Sequence, residues 1–131
     1  MTEFRPDGWP APRGYENAVA ATGRIVALAG QIGWNPATCE FESDDFVRQV
    51  RQALMNIVTL LASGGLEPRH VVRLTWFITD REAYRGAQKE LGAVYREVFD
   101  RHYPAMSVVV VAGLVERRAK VEIEATAVAP S

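Results

Sequence analysis

The 131-residue chain has one cysteine, no excess of either charge and no long apolar run. A lone Cys39 excludes an internal disulfide framework and fits a reducing compartment. Fifteen basic residues stand against sixteen acidic ones, for a net charge of −1. A nucleic-acid binder needs a basic patch or stripe, and Glu116-Arg117-Arg118 is too short to form one. No stretch approaches the roughly 20 apolar residues of a membrane helix. MTEFRPDGWPAPRG has no basic region followed by an apolar one, so no signal peptide is expected. The expectation is a cytoplasmic protein of one domain, residues 1–131, that binds neither membrane nor nucleic acid.

Chemical motifs are equally scarce. GxGxxG, Walker A, HExxH, CxxC and GxSxG are all missing. His70 and His102 lie far apart with no cysteine nearby, so no metal site is expected. Cys39 falls in a loop with no helix N-terminus close in sequence, which argues against a nucleophile. Gly30 to Gly33 lacks the strand–loop–helix setting of a phosphate cradle.

The segments that are present read in order. Residues 1–14, with Pro6, Gly8, Pro10, Pro12 and Gly14, form an irregular lead-in. Tyr15 to Ala21 reads as a weak strand and Ile25 to Ala29 as a second. Thr22-Gly23 between them predicts a hairpin. The loop Gly30-Gln31-Ile32-Gly33-Trp34-Asn35-Pro36 follows, with Trp34 expected to cover the sheet end or to line a pocket.

Ser43 to Ser63 is a helix, with Ser43 as N-cap and an apolar stripe of Phe46, Val50, Ala53, Leu54, Ile57, Val58 and Leu61. Arg48, Gln49, Arg51, Gln52 and Asn56 lie mostly off that stripe, and Gly64-Gly65 ends the helix. His70 to Thr79 is a third strand. Asp80 caps a second helix, Arg81 to Phe99. Met106 to Ala112 is apolar at nearly every position, whereas Lys120 to Val128 alternates with period two. These last two strands are expected to be antiparallel neighbours, placing Glu122 and Glu124 beside an apolar strand.

Two helices cover one face of such a sheet, yet Val108 to Val111 and Leu74 to Ile78 are apolar on both faces. The uncovered face therefore predicts an obligate homo-oligomer. Pattern alone leaves two readings of the acids. They form a polar strand face, or one of them sits in a cleft beside Met106 and Val108 and handles a proton.

NPAT at 35–38, LLASGGLEP, HVVRLTWFITD and HYPAMSVVVV followed by KVEIEATA resemble the RidA/YjgF family of imine and enamine deaminases, from about Tyr15 to Val128. The resemblance implies an α+β, chorismate-mutase-like fold. A mixed sheet would be backed by two helices on one face and assembled as a homotrimer with an inner barrel. It implies no cofactor. A small-molecule ligand would sit in each inter-subunit cleft.

Residue by residue, the resemblance makes Glu122 the acid that orients or activates water and leaves Glu124 a structural or solvent-facing role. Gly30, with Gln31 beside it, becomes a ligand-contacting backbone position, and Tyr15 lines the cleft. Two positions depart from the family pattern. Met106 stands where PARS carries the arginine that clamps a substrate carboxylate, and a thioether offers neither charge nor donor. Gly92 stands where an asparagine commonly contacts ligand. With Trp34 or Trp76 nearby, the expected function is deamination of imines or enamines with a more hydrophobic substrate preference. The alternative is a trimeric binding or regulatory protein without catalysis. Ribonuclease activity, also attached to parts of the family, ranks last on charge.

Overall fold

The computed structural model describes residues 1–131. The short strands β1 (Thr2–Glu3) and β2 (Val19–Ala20) pair antiparallel. Then come β3 (Arg24–Ile32), α1 (Phe46–Ser63), a 3-10 turn at Pro68–His70 and β4 (Val71–Ile78). The chain continues with α2 (Arg81–Gly86), α3 (Gln88–Phe99), β5 (Ala105–Val110) and β6 (Val121–Ala129). Four strands make the main sheet in the order β3-β6-β4-β5.

β6 is antiparallel to both β3 and β4, and β4 runs parallel to β5. The expected β5–β6 neighbourhood is therefore corrected: β4 lies between them. A parallel pair needs a crossover, which α2 and α3 supply. The polar segment 111–120 is long enough to carry the chain past β4 and into the centre of the sheet. The expected hairpin of Tyr15–Ala21 with Ile25–Ala29 does not form either. β3 takes β6 as its partner, while β2 pairs with β1 inside the supposed irregular lead-in. Gly23 closes that region, with φ +148 and no room for a Cβ, which would stand 2.0 Å from the Ala129 carbonyl oxygen.

The period-two pattern of β6 fixes the faces. Val121, Ile123, Ala125, Ala127 and Ala129 are buried with Leu74, Trp76 and Ile78 of β4 under the helices. The helices contribute Val50, Ala53, Leu54, Ile57 and Leu61 from α1, and Leu91, Tyr95 and Phe99 from α3. Burying each large side chain contributes roughly 1.5–3 kcal/mol. The opposite face has no helix. Ile25 is 75% exposed and Val109 43%, values that leave apolar surface in water on a single chain.

The helix ends differ from expectation in detail. The N-cap of α1 is Asp45, whose carboxylate accepts from the Arg48 N–H at 3.0 Å. Ser43 accepts from the Asp45 N–H one step earlier. Asp80 caps α2 as expected, accepting from the Glu82 and Ala83 N–H groups at 2.9 and 3.1 Å. The anticipated second helix is broken in two at Ala87, just after Gly86.

Two residues assigned off the α1 stripe are buried. Gln49 is fully enclosed and satisfies three backbone groups. Its Nε2 donates to the carbonyls of Ser43 and Arg118, and its Oε1 accepts from the Lys120 N–H at 2.8 Å. Asn56 donates to the carbonyls of Ile32 and Trp34 at 3.2 and 3.0 Å. Together they tie α1 to the end of β3 and the start of β6. Gly33 belongs to the same junction, since a Cβ there would lie 2.5 Å from Gln49 Cα.

Gln49→Leu strands those partners in an apolar setting and should cost about 2–4 kcal/mol in urea unfolding. Gly33→Ala should cost about 1–3 kcal/mol by overpacking. Unchanged unfolding midpoints would remove the junction from the account of stability.

Candidate functional site

The sheet divides the candidate residues into two groups. The first surrounds a cavity of about 370 Å³ against the outer edge of the sheet, under α2 and α3. Its walls include Tyr15, Trp76, Gly92 and Met106. Met106 is on the helix side because it pairs in register with the buried Leu74.

Tyr15 is held there by its neighbour. The Glu16 N–H donates to the Pro104 carbonyl at 2.9 Å, and Glu16 bridges to Ala105 at the start of β5. The Glu16 side chain is 8% exposed and takes both of its bonds from Arg5, which anchors the lead-in across the same edge.

Aromatic side chains dominate this cavity. Tyr95 stacks on Tyr103 with centroids 5.4 Å apart and planes 14° from parallel. Trp76 meets Tyr84 edge-on at 6.2 Å. The Tyr95 hydroxyl donates to the His102 carbonyl at 2.5 Å, and burial raises its pKa well above the ordinary phenol range. It stays a neutral, committed donor. His102 closes the same corner through Nε2 and the Val71 carbonyl, 2.7 Å apart.

The second group lies on the other face. Glu122 pairs with Ile32 of β3 and Phe77 of β4. The expected cleft joining Glu122 directly to Met106 and Val108 is corrected for a single chain, because β4 intervenes and Met106 turns to the helix face. Glu122 is half-buried and belongs to none of the four intrachain ion pairs. Its carboxylate lies over Gly30, where a Cβ would stand 2.4 Å from Oε2 and 2.7 Å from Cδ.

Gly30 falls within the register shift between Leu28 and Gln31, a bulge that re-aims the end of β3. Gln31 turns its amide back to the Ala29 carbonyl at 3.0 Å. Glu124 is exposed further along the same face.

Trp34 joins neither group. Its ring packs 5.9 Å from Phe41 in the loop before α1, while Trp76 lines the cavity. Arg13, Tyr84, Gln88, Tyr95, Arg96 and Tyr103 also line it, and no motif in the sequence marks them. The spacing of Tyr84, Gln88, Leu91, Gly92, Tyr95 and Arg96 puts them along one helical side. That spacing is the available signal.

A four-stranded mixed sheet backed on one side by helices, with an aromatic cavity at its edge, defines a small α+β class. Residues 9–129 match the family model described as Endoribonuclease L-PSP. Protein DfrA of Myxococcus xanthus is 39% identical over 115 residues, covering 87% of this chain and 84% of that protein. The 2-iminobutanoate/2-iminopropanoate deaminase of Capra hircus is 30% identical over 119 residues, covering 91% and 83%. The crystal structure of the Rid-family protein YyfB from Yersinia pestis superposes with a TM-score of 0.85 at 27% identity, covering 97% of each chain. The chain belongs to the RidA/YjgF family.

Gly30→Ala should leave a cooperative fold at a cost of about 1–3 kcal/mol, because the obstructing atoms, Cγ, Cδ and Oε2 of Glu122, belong to one side chain that turns as a whole about its first torsion. It should swing the Glu122 carboxylate away, visible in a crystal structure of the variant. An unmoved Glu122 beside a shifted β3 would show that the backbone yields instead.

Proposed function

We propose that this chain is a hydrolytic deaminase of imine and enamine intermediates, built as a homotrimer of single domains spanning residues 1–131. The observation that carries the reading is the half-buried Glu122 carboxylate, lying on Gly30 and left without an ion-pair partner. A relative named as a 2-iminobutanoate/2-iminopropanoate deaminase supports the reaction class.

The trimer would bury the helix-free face of the sheet in an inner barrel. It would also bring the Glu122 group of one chain to the Met106 group of the next. Exposed Ile25 and Val109 supply apolar surface for that contact.

Hydrolysis of a C=N bond is redox-neutral and consumes one water. Glu122 accepts a proton as the water oxygen bonds to the imine carbon. The proton then passes to nitrogen to give a carbinolamine, and its hydroxyl proton follows through Glu122 to nitrogen as the C–N bond breaks, leaving a carbonyl and ammonia. An enamine enters the same route after protonation on carbon. Backbone groups at Gly30 and Gln31 would position the substrate, with Tyr15, Gly92 and Met106 forming the other wall. The thioether of Met106 moves preference away from compact substrates toward larger, aromatic ones.

The charge lost at position 106 also supports a second reading, a trimer that binds such molecules without turnover. Glu122→Gln separates the two. The enzyme should lose at least about a hundredfold in rate, the usual scale of a general acid–base contribution. It should keep its trimeric mass by light scattering. Wild-type inactivity on freshly generated aliphatic and aromatic imines would favour the binding protein, and a monomeric mass would overturn the assembly.

A further inference from the structure

We propose that Arg96 is the anion-recognition residue of the aromatic cavity, so that the site takes aromatic carboxylates. This rests on the cavity being the substrate site proposed above and names its substrate class. The cavity walls hold two arginines, Arg13 and Arg96, and no acidic residue. Neither arginine belongs to any of the four ion pairs, which involve Arg5, Arg51, Arg69 and Arg118. Arginines without acids beside an aromatic cavity form a site for a negative charge joined to a flat apolar body.

Arg96 is placed by the helix itself. It lies one turn after Gly92, on the same side of α3. Its Nη1 folds back over that glycine, 3.2 Å from where a Cβ would stand. A larger residue at 92 would compete for this space, so the glycine that removes one polar contact admits another.

Trp76 gives a second, independent observation. It is 3% exposed, lines the cavity, and its indole N–H is buried with no acceptor in the chain. Nearly all such donors are partnered in folded proteins, so the acceptor of this N–H comes from outside the chain. The Tyr95–Tyr103 stack and Met106 offer apolar surface to an aromatic ring. The cation missing at Met106 is thus replaced from the helix layer, over a wider space than a compact imino acid fills.

The test uses the intact trimer, with 3-phenylpropanoate and its uncharged isostere 3-phenylpropanamide as probes in isothermal titration calorimetry. Wild type should bind the carboxylate at least about tenfold more tightly than the amide. That preference should shrink as salt rises, because Arg96 is exposed enough to be screened. Arg96→Gln should erase the preference with an unchanged melting temperature, and Arg96→Lys should restore part of it.

Equal affinity for the two probes, no binding of either, or a carboxylate preference surviving in Arg96→Gln would each overturn the assignment. Imine turnover is measured on the same proteins. Deamination without carboxylate preference removes the role of Arg96 alone, whereas the expected binding without turnover removes the deaminase reading and leaves Arg96 in place.

Discussion

β6 is hydrogen-bonded along both edges, to β3 and to β4, and its register decides which residues meet the helices. A slip of one residue would exchange Val121, Ile123 and Ala125 for Glu122 and Glu124. That would bury two carboxylates under α1, with a desolvation cost of several kcal/mol each. The alternation is therefore a constraint on the whole molecule. It places the core on one side and every β6 acid on the other. It also accounts for the bulge in β3, which lets a glycine rather than a side chain meet Glu122.

Gln49 and Asn56 enforce the same register from the helix layer. Each uses a side-chain amide as a substitute backbone, closing carbonyl and N–H groups where β3 leaves the sheet and where β6 begins. Polar residues fully buried in this way specify one arrangement, because a shifted helix would leave several groups unpaired at once. The loop carrying Trp34, the Gly33 contact and the start of the acid-bearing strand are thus held as one unit.

Elements whose identity depends on local pattern were legible in the sequence. The α1 stripe, the Asp80 cap, the alternation of β6 and the half-covered sheet all follow from spacing. Pairing was not legible, because strand partners depend on which crossover buries the most surface. The apolar Met106–Ala112 run precedes β6 directly in the chain, yet β4 has both the length and the two-sided apolar pattern of a central strand and lies between them. Val19–Ala20 was drawn to Thr2–Glu3, a contact no periodicity could reveal in two-residue strands. Burial of Gln49 was hidden for a related reason: two of its three partners lie 69 and 71 residues away.

The candidate site was half legible. Motif likeness located Tyr15, Gly92 and Met106, and the structure brings them to one cavity. The arginines of its wall were not legible, because they lie in the lead-in and on a helix, away from the motif at position 106. A guanidinium projecting from a strand and one lying along a helix can serve the same cavity from different walls, and only the fold shows that Arg96 reaches it. The two placements are chemically distinct. A strand-borne arginine is fixed close to the reacting carbon and suits a short, compact acid. Arg96 sits on a long side chain across a space walled by Tyr84, Tyr95, Tyr103 and Trp76. Fixing a carboxylate there leaves room for a ring between the charge and Met106. With the anion held by Arg96 as proposed, the cavity would exclude small acids through poor contact rather than repulsion, and the loss of one arginine would change the size of the preferred substrate without removing its charge.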